Sequence, residues 1–134
     1  MIYNIKEEVD NGINPIGTRL FDEKNNISTP ATIETNVKGA FVTLTKGVWV
    51  INAYWVFNTR STSNSVNKQV GIFKDGSHYW SQRLFTTANY GALTTSCTIV
   101  IEDDETTEFA VYGACSVASG TSKDSCRISA IRVA

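Results

Sequence analysis

The chain has 134 residues, 12 basic against 13 acidic side chains for a net charge of −1, and 42% hydrophobic residues. That length suits one domain with a real core, and the near-zero charge excludes the broad positive field of a nucleic-acid or anionic-membrane binder. No run approaches the roughly 18 consecutive apolar residues of a membrane span, and the start, MIYNIKEEVDNG, carries three acids where an export signal would carry bases and an apolar stretch.

Residues 1–30 come first in chain order. VDNGINPIGTRLFDEKNNISTP holds both prolines, two glycines and four asparagines, and no helical or strand period is sustained there. This segment reads as an irregular N-terminal arm. From Ala31 the texture changes to short β-branched and aromatic runs separated by Gly, Asn, Asp and Ser, at the spacing of an all-β sandwich. The runs are ATIETN, AFVTLTKG, VWVINAYWVFN, KQVGIFKDG, HYWSQRLF, TTSCTIVIE, TEFAVYGACSV and CRISAIRVA. Eight strands is the count of a jelly roll, predicted over 31–134. KDGS predicts a two-residue hairpin, while EDDETT and VASGTSKDS predict further hairpins. STSNSVN and TTANYGALTTS read as exposed polar loops.

The run KGVWVINAYWVFN has apolar residues on both faces. At a period of two, Trp49, Ile51, Ala53, Trp55 and Phe57 share one face, and Val48, Val50, Tyr54 and Val56 share the other with Asn52 between them. Both faces need cover. The second cover is either a neighbouring subunit or the N-terminal arm folded over the sheet.

The three cysteines, Cys97, Cys115 and Cys126, have no C-x-x-C spacing and read as buried thiols. If the last two runs paired as a hairpin, Cys115 and Cys126 would lie nearly opposite one another, within reach of a disulfide. A pair of opposed core thiols satisfies the same pattern.

Catalytic groups are sparse. The single His78 has no nucleophile motif near it, and Glu102, Asp103, Asp104 and Glu105 sit together in one turn, where solvated loop charges are expected. The scattered glycines form no phosphate cradle. No catalytic residue, metal or cofactor is predicted. Aromatic residues beside polar donors point instead to ligand binding: His78, Tyr79 and Trp80 follow a tight turn and precede Arg83, and Tyr90 lies in a second loop. A sugar would stack its C–H faces on such rings while the guanidinium and amides take its hydroxyls.

The order of runs resembles the C1q and tumour-necrosis-factor-like jelly rolls. KGVWVINAYWVF matches their aromatic strand after a Gly turn, VGIFKDGSHY their central hairpin, SCTIVIEDDETTEFAVYG the strands around an acidic turn, and CRISAIRVA their closing strand. More narrowly, TLTKGVWVI with a terminal ISAIRVA is similar to modules of bacteriophage tail-fibre, baseplate and head-fibre proteins. The resemblance covers roughly Ala31 to Ala134 and implies a non-enzymatic homotrimer in the virion, with Val48, Val50, Tyr54 and Val56 at the subunit interface. It implies a fibre knob that binds a host-surface glycan or protein, with the arm as the anchor to other phage structural proteins. The chain reads as a whole small virion protein. A decoration protein without receptor activity and a bacterial carbohydrate-binding module are the alternatives.

Overall fold

The computed structural model describes residues 3–60, 65–86 and 90–134. After a short helix, α1 (Ile5–Asp10), come β1 (Arg19–Ile27), β2 (Thr32–Leu44), β3 (Gly47–Phe57), β4 (Val66–Lys74), β5 (Ser77–Thr86), β6 (Gly91–Ile101), β7 (Thr107–Cys115) and β8 (Asp124–Arg132). They form two antiparallel four-stranded sheets, ordered β1-β8-β3-β6 and β2-β7-β4-β5. Successive strands cross between the sheets everywhere except at β4–β5. This is a jelly-roll sandwich.

The predicted face of β3 builds the core. Trp49, Ile51, Trp55 and Phe57 are wholly buried, packed with Leu44, Val70, Ile72, Phe109 and Val111 from the facing sheet and with Ile128 from the neighbouring strand β8. Burying an aromatic side chain removes about 150–250 Å² from water, so the two tryptophans carry a large share of the driving force. Trp55 lies so close to Gly113 of β7 that a Cβ there would overlap the indole, and a Cβ at Gly39 would overlap Cys126 Sγ. Glycine at 113 is what lets the two sheets close over this ring.

Several sequence expectations are corrected. The arm is not irregular: α1 is capped by Asn4, whose side chain accepts from Glu7 N at 3.0 Å, and the sandwich begins at Arg19, inside the segment, because β1 pairs with β8 from Arg19↔Ile131 to Ile27↔Asp124. Its sequence, RLFDEKNNI, hides its strand character because it is a sheet edge, where charged side chains discourage further pairing. ATIETN and AFVTLTKG are one bulged strand, β2, so the eighth strand is β1.

EDDETT and VASGTSKDS are not hairpins. They carry the chain from β6 to β7 and from β7 to β8, which belong to opposite sheets; a polar crossover and a polar hairpin have the same composition. Cys115 and Cys126 are therefore not hairpin partners, and all three cysteines are free thiols, Cys115 and Cys126 in the core. Most of TTANYGALTTS is strand, since β5 runs to Thr86 and β6 starts at Gly91. The KDGS turn forms as expected: Asp75 and Gly76 adopt φ of 48° and 83°, the left-handed pair of a type I′ hairpin turn.

Candidate functional site

The outer face of the β1-β8-β3-β6 sheet is organised in rows that cross the strands. Glu23, Arg127, Tyr54 and Thr94 form one row, and Phe21, Ser129, Asn52 and Ser96 the next. Arg19, Ile131, Val50 and Thr98 follow, then Val48 and Val100 beside Val133. The first two rows are mainly polar and the last two mainly aliphatic. Val100 is 62% exposed and Phe21 63%, while Val48, Val50, Tyr54 and Val56 are half-buried. The strand is thus dry on its inner face and open on its outer one.

The described part of the N-terminal segment, from Tyr3 on, does not fold over this face. Its bonds go to one end of the sandwich: Asn14 N donates to Thr45 Oγ1 at 2.9 Å, Gly17 N to Arg132 O at 2.9 Å, and Arg132 pairs with Glu8. The Arg132 guanidinium holds the Glu8 carboxyl below its ordinary range. Tyr3, Ile5, Val9 and Ile16 remain exposed there.

A groove of about 570 Å³ runs from the polar rows round the β6 edge to β5. Asn52, Tyr54, Thr94, Ser96, Arg127 and Ser129 line it from the sheet. Trp80 and Gln82 close it from β5, whose register sets both on the same side as Ile72 and Val70, so they lean toward the β6 edge. The indole is 51% exposed. Arg127 is the charged lining group, held by Glu23 at 3.0 Å and lying 4.6 Å from the Phe21 ring centroid. A second hollow of about 380 Å³ continues over Phe21, Val50 and Ile131 and shares Asn52, Arg127 and Ser129 with the first.

Of the five residues expected to bind ligand, the structure places only Trp80 in this groove. Arg83 projects from the opposite side of β5 and donates to Gln69 Oε1 at 2.6 and 3.0 Å. His78 lies edge-on to Phe73, which stacks on Tyr112 at 3.9 Å. Tyr79 packs edge-on to Phe109. Tyr90 is exposed beyond the groove, and its carbonyl accepts from Lys68 Nζ at 2.8 Å. A bulge in the β4–β5 register, between Ile72 and Phe73, splits His78 from Trp80. The lining residues that sequence reading missed on the sheet, Asn52, Thr94, Ser96, Arg127 and Ser129, had one legible signal, polar residues alternating with core residues on β3, β6 and β8, while Gln82 of β5 stands in the polar run that follows Trp80.

The other buried polar cluster is structural. Asp124 Oδ1 and Oδ2 accept from Arg60 at 2.5 and 2.7 Å, and the carboxylate also accepts from Thr29 Oγ1, Trp55 Nε1 and Asn58 N. Burial raises the Asp124 pKa, but these bonds and the Arg60 charge outweigh it, and the group sits below its ordinary range. Both partners are fully buried. This clasp ties the β1–β2 junction, β3 and the loop after β3 to the start of β8. The acidic turn is solvent-exposed, with Asp104 3.7 Å from Lys46.

No family model matches the chain, and no curated protein matches it in sequence.

Proposed function

We propose that this protein is a non-enzymatic, homotrimeric structural module of a bacteriophage particle, displayed as a head- or tail-fibre knob that binds a host-surface glycan or protein. The observation that carries the reading is the open aliphatic end of the β1-β8-β3-β6 sheet, where Val48, Val50, Ile131, Val100 and Val133 meet with no part of the described chain laid across them. Contiguous apolar surface of this kind marks an association site. A closed threefold arrangement, the one implied by the resemblance to C1q-like and phage-fibre jelly rolls, covers it on every subunit without leaving an open end. The exposed Tyr3, Ile5, Val9 and Ile16 support the N-terminal segment as the anchor to a virion partner. The polar end of the same sheet is left for recognition, and no carboxylate lines its groove.

The test is the solution mass by light scattering across micromolar concentrations. Wild type is expected at three chains, and Val100→Lys at one chain with its fold intact, because Val100 is exposed in the subunit and its charge would be buried only on assembly. A wild-type mass of one chain overturns the trimer, and leaves the carbohydrate-binding module as the better reading.

A further inference from the structure

Among the described residues, Thr95 Oγ1 is the one buried side-chain polar atom with no hydrogen-bond partner. Thr95 is 6% exposed and lines the 570 Å³ groove between β5 and β6. A buried hydroxyl without a partner is costly, and in folded proteins it points to a missing water or ligand atom. Its neighbours decide between ligand classes. Trp80 offers an exposed indole face at one wall, and Tyr54 offers a ring at the other. Beside the indole lies the amide of Gln82, and round the β6 edge from Thr95, on the outer face, lie the amide of Asn52 and the hydroxyls of Thr94, Ser96 and Ser129.

We propose that this groove is a binding site for a neutral saccharide, with Trp80 as the stacking platform and Thr95 as a buried hydrogen-bonding anchor. The mixture fits a sugar, which presents apolar C–H faces and a rim of hydroxyls that both donate and accept. Neutral side-chain amides and hydroxyls are bidirectional in the same way. Charge disfavours the other common polar ligands. The one lining cation, Arg127, is paired with Glu23, whose carboxylate disfavours an anionic sugar or phosphate beside it, and a cationic ligand would find no carboxylate among the lining groups. A groove of this volume falls in the range of small-ligand sites. The proposal rests on the reading of the module as a recognition unit, and specifies the ligand class and the site.

The experiment titrates the full chain with neutral oligosaccharides of glucose, galactose, mannose and N-acetylglucosamine, with a uronate-containing oligosaccharide as the charged comparison. Binding is read by tryptophan fluorescence and by calorimetry. At least one neutral oligosaccharide is expected to bind more tightly than the charged one. Trp80→Ala is expected to weaken it at least about tenfold, as for a stacked aromatic anchor, and Thr95→Val about two- to tenfold, as for one neutral hydrogen bond. Both variants keep the wild-type solution mass. No binding across the neutral panel, preference for the uronate, or Thr95→Val and Trp80→Ala both binding like wild type would overturn the site. These failures leave the assembly reading standing if the mass is still three chains, and a one-chain protein that binds through Trp80 separates the two in the other direction.

Discussion

Asp124→Ala is expected to lower stability by about 3–5 kcal/mol, the cost of leaving one member of a buried ion pair without its partner. For a chain of this length that is a fall of about 10–20 °C in Tm, measured by thermal and urea denaturation. The size follows from the number of groups stranded: Arg60 stays buried with its charge, and Thr29, Trp55 and the Asn58 amide each lose an acceptor. A fall under about 3 °C would mean that water enters and solvates the guanidinium, and that the clasp is dispensable.

The same carboxylate sets the acid limit. Its folded pKa lies below the ordinary 3.8, so the unfolded chain takes up its proton first as pH falls. Its contribution is complete well above pH 4 and is lost on descending through 3.8 toward the lower folded value. Asp124→Asn should therefore flatten the stability curve between about pH 5 and pH 2, at the expense of a lower plateau at neutral pH.

Trp55→Asp is expected to leave no cooperatively folded protein. The ring is wholly buried, is flanked by Gly113 and Gly39, and donates through Nε1 to Asp124 at 3.2 Å. An aspartate there would leave a cavity, an unpaired charge in the core, and a second carboxylate beside Asp124. Near-ultraviolet circular dichroism and dispersed amide spectra decide it, and a folded, soluble variant would refute the burial of this side chain. Gly113→Ala approaches the same contact from the other strand and should cost about 1–3 kcal/mol by overpacking. Because Trp55 and Asp124 are bonded, double variants should not add.

Much of the sandwich was legible because its core face is written at a period of two. Trp49 to Phe57 identified the central strand and the inward residues, and Asp75-Gly76 identified the one hairpin. What composition did not carry is which strand lies beside which. The loops 102–107 and 117–125 look like hairpin turns and are crossovers, since loop polarity records exposure and not the sheet that the chain enters next. β1 was hidden for a related reason: an edge strand half in water needs few apolar residues, and Leu20 and Ile27 alone face inward strongly enough to be seen afterwards. At the groove, Trp80 was visible as an aromatic among polar neighbours. Arg83, three residues on, takes the opposite side by ordinary alternation, whereas His78, two residues back, was not separable from Trp80, because a one-residue bulge in the β4–β5 pairing lies between them.

The strand order also dictates when this protein can fold. β8 sits between β1 and β3, and β7 between β2 and β4, so the last two strands of the sandwich to be made take interior positions, one in each sheet. Until they emerge from the ribosome, β1 and β2 have no sheet partner, and β3 and β4 each expose one unpaired edge. Folding of the sandwich is thus delayed until β8 has been made, and a chain cut before Asp124 would present sticky strand edges in place of a partial domain. The timing therefore ties the appearance of any finished surface of the sandwich to chains in which β8 is already made.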